Sequence, residues 1–142
     1  MSRKRFAIEL GYAADLHGED MTKAAVRAVQ DAVSRICLCG IMEICGRDQF
    51  QGVYVHADVA VPNPNAVDRD AVLACIPIGE KSLTLVSGGL CVPGIEVPCF
   101  APGVSNIIAA CAALTVSLEM DNVDQGPKIS EQQDCVCAVK AE

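Results

Sequence analysis

The chain has 142 residues, 51% hydrophobic and 20% charged, which suits one domain and excludes a wholly disordered polypeptide. Its net charge of -7, from 11 Lys and Arg against 18 Asp and Glu, disfavours nonspecific attachment to nucleic acid or to an anionic membrane. Arg5 to Tyr12 then reads as a first strand, with Phe6, Ile8 and Leu10 forming the phase expected to be buried and Ala7 and Glu9 the other. Gly11 and Gly18 bracket a loop holding Asp15 and His17. A helix is predicted from Asp20 or Met21, where Asp20 can cap the first turn. Val26, Val29, Val33 and Ile36 or Cys37 give it an apolar stripe for covering a sheet.

Cys39 to Gly46 reads as a short helix, and Gly52 to Val61 as a second strand. In that strand the valines share one phase, while Tyr54, His56, Asp58 and Ala60 share the other. Pro62 and Pro64 stop it. A short helix follows from Asp68 to Cys75, and Pro77 and Gly79 end it. Ser82 to Ser87 is a third strand. Gly88 and Gly89 mark a bulge, a tight turn or a close approach to ligand, before a fourth strand over Leu90 to Val97. Gly103 to Met120, Ala-rich and nearly uncharged, reads as a second long helix buried on more than one side, against another subunit. The expected organisation is one α+β domain over residues 1–122, a mixed or antiparallel sheet covered by helices, with a polar extension over 123–142.

The segment Gly11-Tyr12-Ala13-Ala14-Asp15-Leu16-His17-Gly18 resembles the GxGxDxHG pattern of the Lin0512 family of conserved, uncharacterised proteins, with Ala13 in place of the second glycine. The helix after Asp20, the Val53 to Pro62 strand and the Ser87-Gly88-Gly89-Leu90 segment also look like that family. By order of elements, the chain is similar to YjgF-like and Bacillus chorismate mutase-like domains, and more remotely to the ring-opening amidohydrolases. That likeness implies trimers with sites at subunit boundaries, and hydrolysis of a cyclic amide.

Asp15 and His17 are the sharpest local pair. Either Asp15 orients His17 for proton transfer, or both hold the loop by hydrogen bonds. Lys81 with Ser82 is a candidate amine–hydroxyl pair for amide cleavage, and amides near Gly88 and Gly89 are candidate oxyanion donors beside Ser87. His56, on the same strand face as Asp58, is a candidate ligand contact, as are Gly11 and Gly18. These histidines and carboxylates match no standard zinc spacing, so no metal or cofactor is expected. The expected partners are other copies of the chain, three or a multiple of three, and a small polar metabolite.

Nine cysteines stand out, including the Cys135-Val136-Cys137 run. No signal peptide or membrane-spanning run is recognised, so a cytoplasmic location and reduced thiols are expected. The reaction reading is an enzyme opening a cyclic amide in an inter-subunit cleft. Its alternative is a noncatalytic metabolite-binding or assembly protein.

Overall fold

The structure, a computed structural model, describes residues 2–47 and 49–120. Strands are β1 (Ser2–Asp15), β2 (Val53–Val61), β3 (Glu80–Ser87), β4 (Leu90–Pro93) and β5 (Asn106–Met120); helices are α1 (Met21–Arg35), α2 (Cys39–Glu43) and α3 (Arg69–Ala74). They form a mixed sheet in the order β1-β5-β2-β3. β5 runs antiparallel to β1 and β2, β3 lies parallel to β2 after the α3 crossover, and β4 pairs with β5 beyond the end of β2. The α+β class with a mixed sheet agrees with expectation. The proposed polar extension and its Cys135 and Cys137 lie outside the described residues.

The segment expected to be the second long helix is the strand β5. Alanine favours helix, but tertiary context overrides a weak propensity. Ile108, Ala110, Ala112, Leu114, Val116 and Leu118 are all buried and all share one parity, the period-2 signature of a strand. With β1 on one side and β2 on the other, nearly the whole of β5 has a hydrogen-bonding partner. Its small residues let a helix lie close above it.

That helix is α1. Asp20 caps it, accepting from the Lys23 amide at 3.0 Å, as expected. Its fully buried face is Ala24, Ala25, Ala28, Val29 and Ala32, whereas Val26, Val33 and Ile36 are only half-buried. The small side chains bring α1 almost onto the β1 backbone. A Cβ on Gly11 would overlap the Ala28 carbonyl oxygen and stand 2.6 Å from the Ala32 nitrogen.

The contact also inverts the expected face of β1. Gly11 and Asp15 are buried beneath α1, while Ile8 (56% exposed), Leu10 (47%) and Tyr12 (55%) point to the uncovered side. A bulge between Arg5 and Ala7 shifts the register, and the Phe6 ring reaches Gly40 of α2. α1 further screens the outer edge of β1. Asp31 accepts from the Tyr12 amide at 2.8 Å, Arg35 donates to the Leu10 carbonyl, and Arg27 donates to the Ala14 carbonyl at 3.1 Å. These side chains satisfy backbone groups that an edge strand otherwise offers to another chain.

Gly11→Ala places a methyl against helix backbone that has no side chain to move. It is expected to lower unfolding free energy by about 3 kcal/mol in urea denaturation. A loss below about 0.5 kcal/mol would show that α1 can lift without penalty.

Candidate functional site

Among the described residues, the sheet has one face under the helices and one left open. On the open face, the parallel register sets His56 beside Ser82 and Asp58 beside Thr84. The Ser82 hydroxyl lies 2.7 Å from His56 Nδ1, and His56 Nε2 lies 3.2 Å from both Asp58 Oδ1 and Thr84 Oγ1. One tautomer fits all three contacts: Ser82 donates to Nδ1, and Nε2–H donates to Asp58 and Thr84. The arrangement sets a hydroxyl, an imidazole and a carboxylate in one hydrogen-bonded row, the groups that nucleophilic catalysis requires.

This cluster borders a cavity of about 200 Å³ lined by Arg3, Tyr54, His56, Glu80, Lys81, Ser82, Thr115 and Ser117. The Arg3 guanidinium sits 3.4 Å above the centre of the Tyr54 ring, which holds a cation at the cavity wall. Lys81 lines the same cavity, but among the described residues it makes no hydrogen bond to Ser82. Adjacent strand residues leave opposite faces, so the expected Lys81–Ser82 pair gives way to His56–Ser82. Asp58 was legible as His56's neighbour in phase. Thr84 and Arg3 were not, because their placement depends on strand pairing.

Asp15 and His17 lie elsewhere. Asp15 and Thr115, the register partner of His56, are set by β5 positions seven residues apart, roughly 23 Å along a strand. Asp15 is 1% exposed and points under α1. Its Oδ1 meets Lys23 Nζ at 2.9 Å and Arg27 Nη1 at 3.7 Å, and its Oδ2 accepts from the Asp20 amide at 3.1 Å. Burial pushes the Asp15 carboxyl up, but Lys23 and the Asp20 and Gly18 amides outweigh it and hold the pKa below its ordinary value. Gly18 leaves room for this carboxylate, since a Cβ there would stand 2.6 Å from Oδ2. The carboxylate is committed to the loop and to α1.

His17 stacks on Phe100 with ring centres 5.3 Å apart, and its buried Nδ1 has no hydrogen-bond partner among the described residues. No Asp15–His17 hydrogen bond occurs among the described residues. Glu19, with φ of 48°, accepts from the Ser105 and Asn106 amides at 3.2 and 2.8 Å and ties the loop to the start of β5.

Ser87, Gly88 and Gly89 form the β3–β4 turn, five residues and roughly 17 Å along β3 from Ser82. The Gly88 amide donates to the Val61 carbonyl at 3.0 Å. Gly89 has φ of 68°, and a Cβ there would overlap the Ala109 carbonyl oxygen. The geometry accounts for both glycines through a turn and a close backbone approach. Among the described residues, no group of three or more His, Cys, Asp or Glu is placed to hold a metal.

The family model for Lin0512, described as a conserved hypothetical protein, matches residues 5–116 and spans both the Asp15 loop and the His56 cluster. The chain belongs to the Lin0512 family. Its structure is similar to that of an FtsZ-like protein of unknown function from Nostoc punctiforme: 39% identity over 84% of this chain and 99% of that one, with a TM-score of 0.76. No curated protein matches the chain. The FtsZ-like match overturns the comparison with YjgF-like and Bacillus chorismate mutase-like domains and the ring-opening amidohydrolases. That comparison rested on an element order ending in a long helix, and this Lin0512 chain ends its sheet with the central strand β5.

Asp15→Asn tests the buried carboxylate. A carboxyl held below its ordinary pKa adds stability that is present above the unfolded-state pKa. That stability is lost as pH falls through the folded-state value. The variant is expected to be about 2 kcal/mol less stable at neutral pH, with the difference shrinking towards low pH in urea titrations. An equal deficit at every pH would assign the effect to packing instead.

Proposed function

We propose that this chain binds a small polar carbonyl compound on the open sheet face and hydrolyses it, with Ser82 as nucleophile. The carrying observation is the 2.7 Å contact between Ser82 and His56 Nδ1, backed by Asp58 and Thr84 at Nε2. Ser82 oxygen attacks the carbonyl carbon while His56 takes the hydroxyl proton. The carbon–nitrogen bond then breaks, and His56 returns the proton to the leaving nitrogen. Water completes the cycle by hydrolysing the Ser82 ester. In a cyclic amide the leaving nitrogen stays tethered, so one product is released. Arg3, held over the Tyr54 ring in the cavity wall, supplies positive charge towards the carbonyl oxygen. Asp15 and His17 serve this reading as loop supports. A metabolite-binding role without turnover uses the same cavity and is favoured by its polar lining alone.

The proposal extends to assembly and location. The warrant for a subunit contact moves from the supposed long helix, now β5, to the exposed Ile8, Leu10 and Tyr12 on the open face. A second copy covering these residues beside the His56 cavity would make it a cleft between subunits. A count of three has lost its basis with the overturned fold comparison. The described cysteines are all free thiols, which supports a cytoplasmic setting. No helix among the described residues is long and apolar enough to cross a membrane.

A serine-directed fluorophosphonate is expected to label Ser82, read by peptide mass spectrometry. His56→Gln should slow labelling by about 100-fold, and Asp58→Asn by less. Hydrolysis of a p-nitrophenyl ester should fall in parallel. Equal labelling of wild type and Ser82→Ala would remove the nucleophile and leave the binding role.

A further inference from the structure

The open-face cavity carries a charge opposite to that of the whole protein. The chain has a net charge of -7, yet of the charged side chains lining the cavity Arg3 and Lys81 are cations and Glu80 alone is an acid. Lys81 and Glu80 cancel in count, which leaves the charge of Arg3. Among the described residues Arg3 makes no ion pair. The acid opposite it in the β1–β5 register is Glu119, but that carboxylate lies towards Gly52, 3.5 Å from where a Cβ there would stand.

Tyr54 holds the guanidinium instead, 3.4 Å from the ring centre. At that separation the planar group meets the ring with its face, because N–H groups set edge-on would run into the ring carbons. Its N–H donors lie in the guanidinium plane and so point away from the ring. A carboxylate takes two parallel N–H bonds from such an edge, and three of the five donors remain for other acceptors. Ser117, opposite Tyr54 in the β2–β5 register, adds a hydroxyl to the same wall.

We propose that the open-face cavity selects small ligands bearing a carboxylate, with Arg3 binding the anion and Tyr54 positioning Arg3. The inference rests on the open-face cavity as the ligand site and not on turnover at Ser82. A space of about 200 Å³ holds roughly seven water-sized groups, so the ligand is short. Tyr54 and His56 stand two residues apart on β2, roughly 7 Å. One small molecule can therefore set a carboxylate on Arg3 and an amide carbonyl beside Ser82. The single net charge of the lining suits one carboxylate better than a doubly charged phosphate.

The probes are 2-pyrrolidone-5-carboxylate and its 5-carboxamide, equal in size and different by one charge. Each is titrated into the full chain and followed through the amide chemical shifts of Tyr54, His56 and Ser117. The carboxylate is expected to bind about tenfold more tightly than the carboxamide, and the ratio should fall to about one in Arg3→Gln. Raising sodium chloride from about 20 to about 500 mM should weaken the carboxylate alone. Tyr54→Leu should cut the ratio to about threefold or less, and Tyr54→Phe, which keeps the ring, should hold it. A merely structural role of Tyr54 would weaken both ligands alike. Lys81→Gln and Ser82→Ala should leave the ratio unchanged. The second variant separates this inference from the nucleophile, since fluorophosphonate labelling can fail while the carboxylate preference stands. Equal binding of the two ligands, a ratio that survives Arg3→Gln, or a ratio lost in Lys81→Gln would overturn the assignment. So would tighter binding of inorganic phosphate, or no saturable binding in the full chain, where Asp121 and Asp124 follow β5 as competing acids.

Discussion

The close approach of α1 to β1 through Gly11 is the constraint from which the other features follow. Backbone meets backbone there, with the Ala28 carbonyl and the Ala32 amide in the space a side chain would fill. Dispersion weakens steeply with separation, so a contact this short makes each small residue count. It explains a helix whose buried face is four alanines and one valine, over a strand β5 that is itself rich in alanine. Larger residues would raise α1 off the sheet. Arg27, Asp31 and Arg35 would then lose their reach to the β1 edge.

The same constraint sorts the polar groups. Under α1, Asp15 is 1% exposed and its oxygens face Lys23, Arg27 and the Asp20 amide, away from solvent. The open face differs. There His56, Asp58, Ser82 and Thr84 stand on two paired strands whose spacing is fixed by backbone hydrogen bonds, so their geometry does not rest on a loop. β2 and β3 present these side chains to the face opposite the described helices, while the Asp15 loop holds the β1–α1 junction together. Membership of the Lin0512 family covers both regions and identifies a reaction at neither.

Much of this was legible in the residues taken alone. Asp20 as a cap and the valine alternation of β2 are local signals, and both mark their elements within a residue or two. β5 was hidden because alanine carries a helix preference, and the reason for the alanines lies across the sheet in α1. The face of β1 was misleading for a related cause: its largest apolar residues point outward, and glycine marks its buried side. For the site, phase alone joins His56 to Asp58. Joining them to Ser82 and Thr84 requires the parallel register created by the α3 crossover, which no local pattern encodes.

The central claim is that polar-ligand chemistry belongs to the open face at His56 and that the Asp15–His17 loop is structural. Chemical-shift mapping on uniformly labelled protein, with a set of small cyclic amides and carboxylates, tests it directly. The account predicts perturbations centred on Tyr54 to Asp58, Ser82 to Thr84 and Thr115 to Ser117, with Leu16 to Glu19 and Phe100 unmoved. Perturbations centred on Leu16 to Glu19 and Phe100, or none at the β2–β3 cluster with any compound, would contradict it.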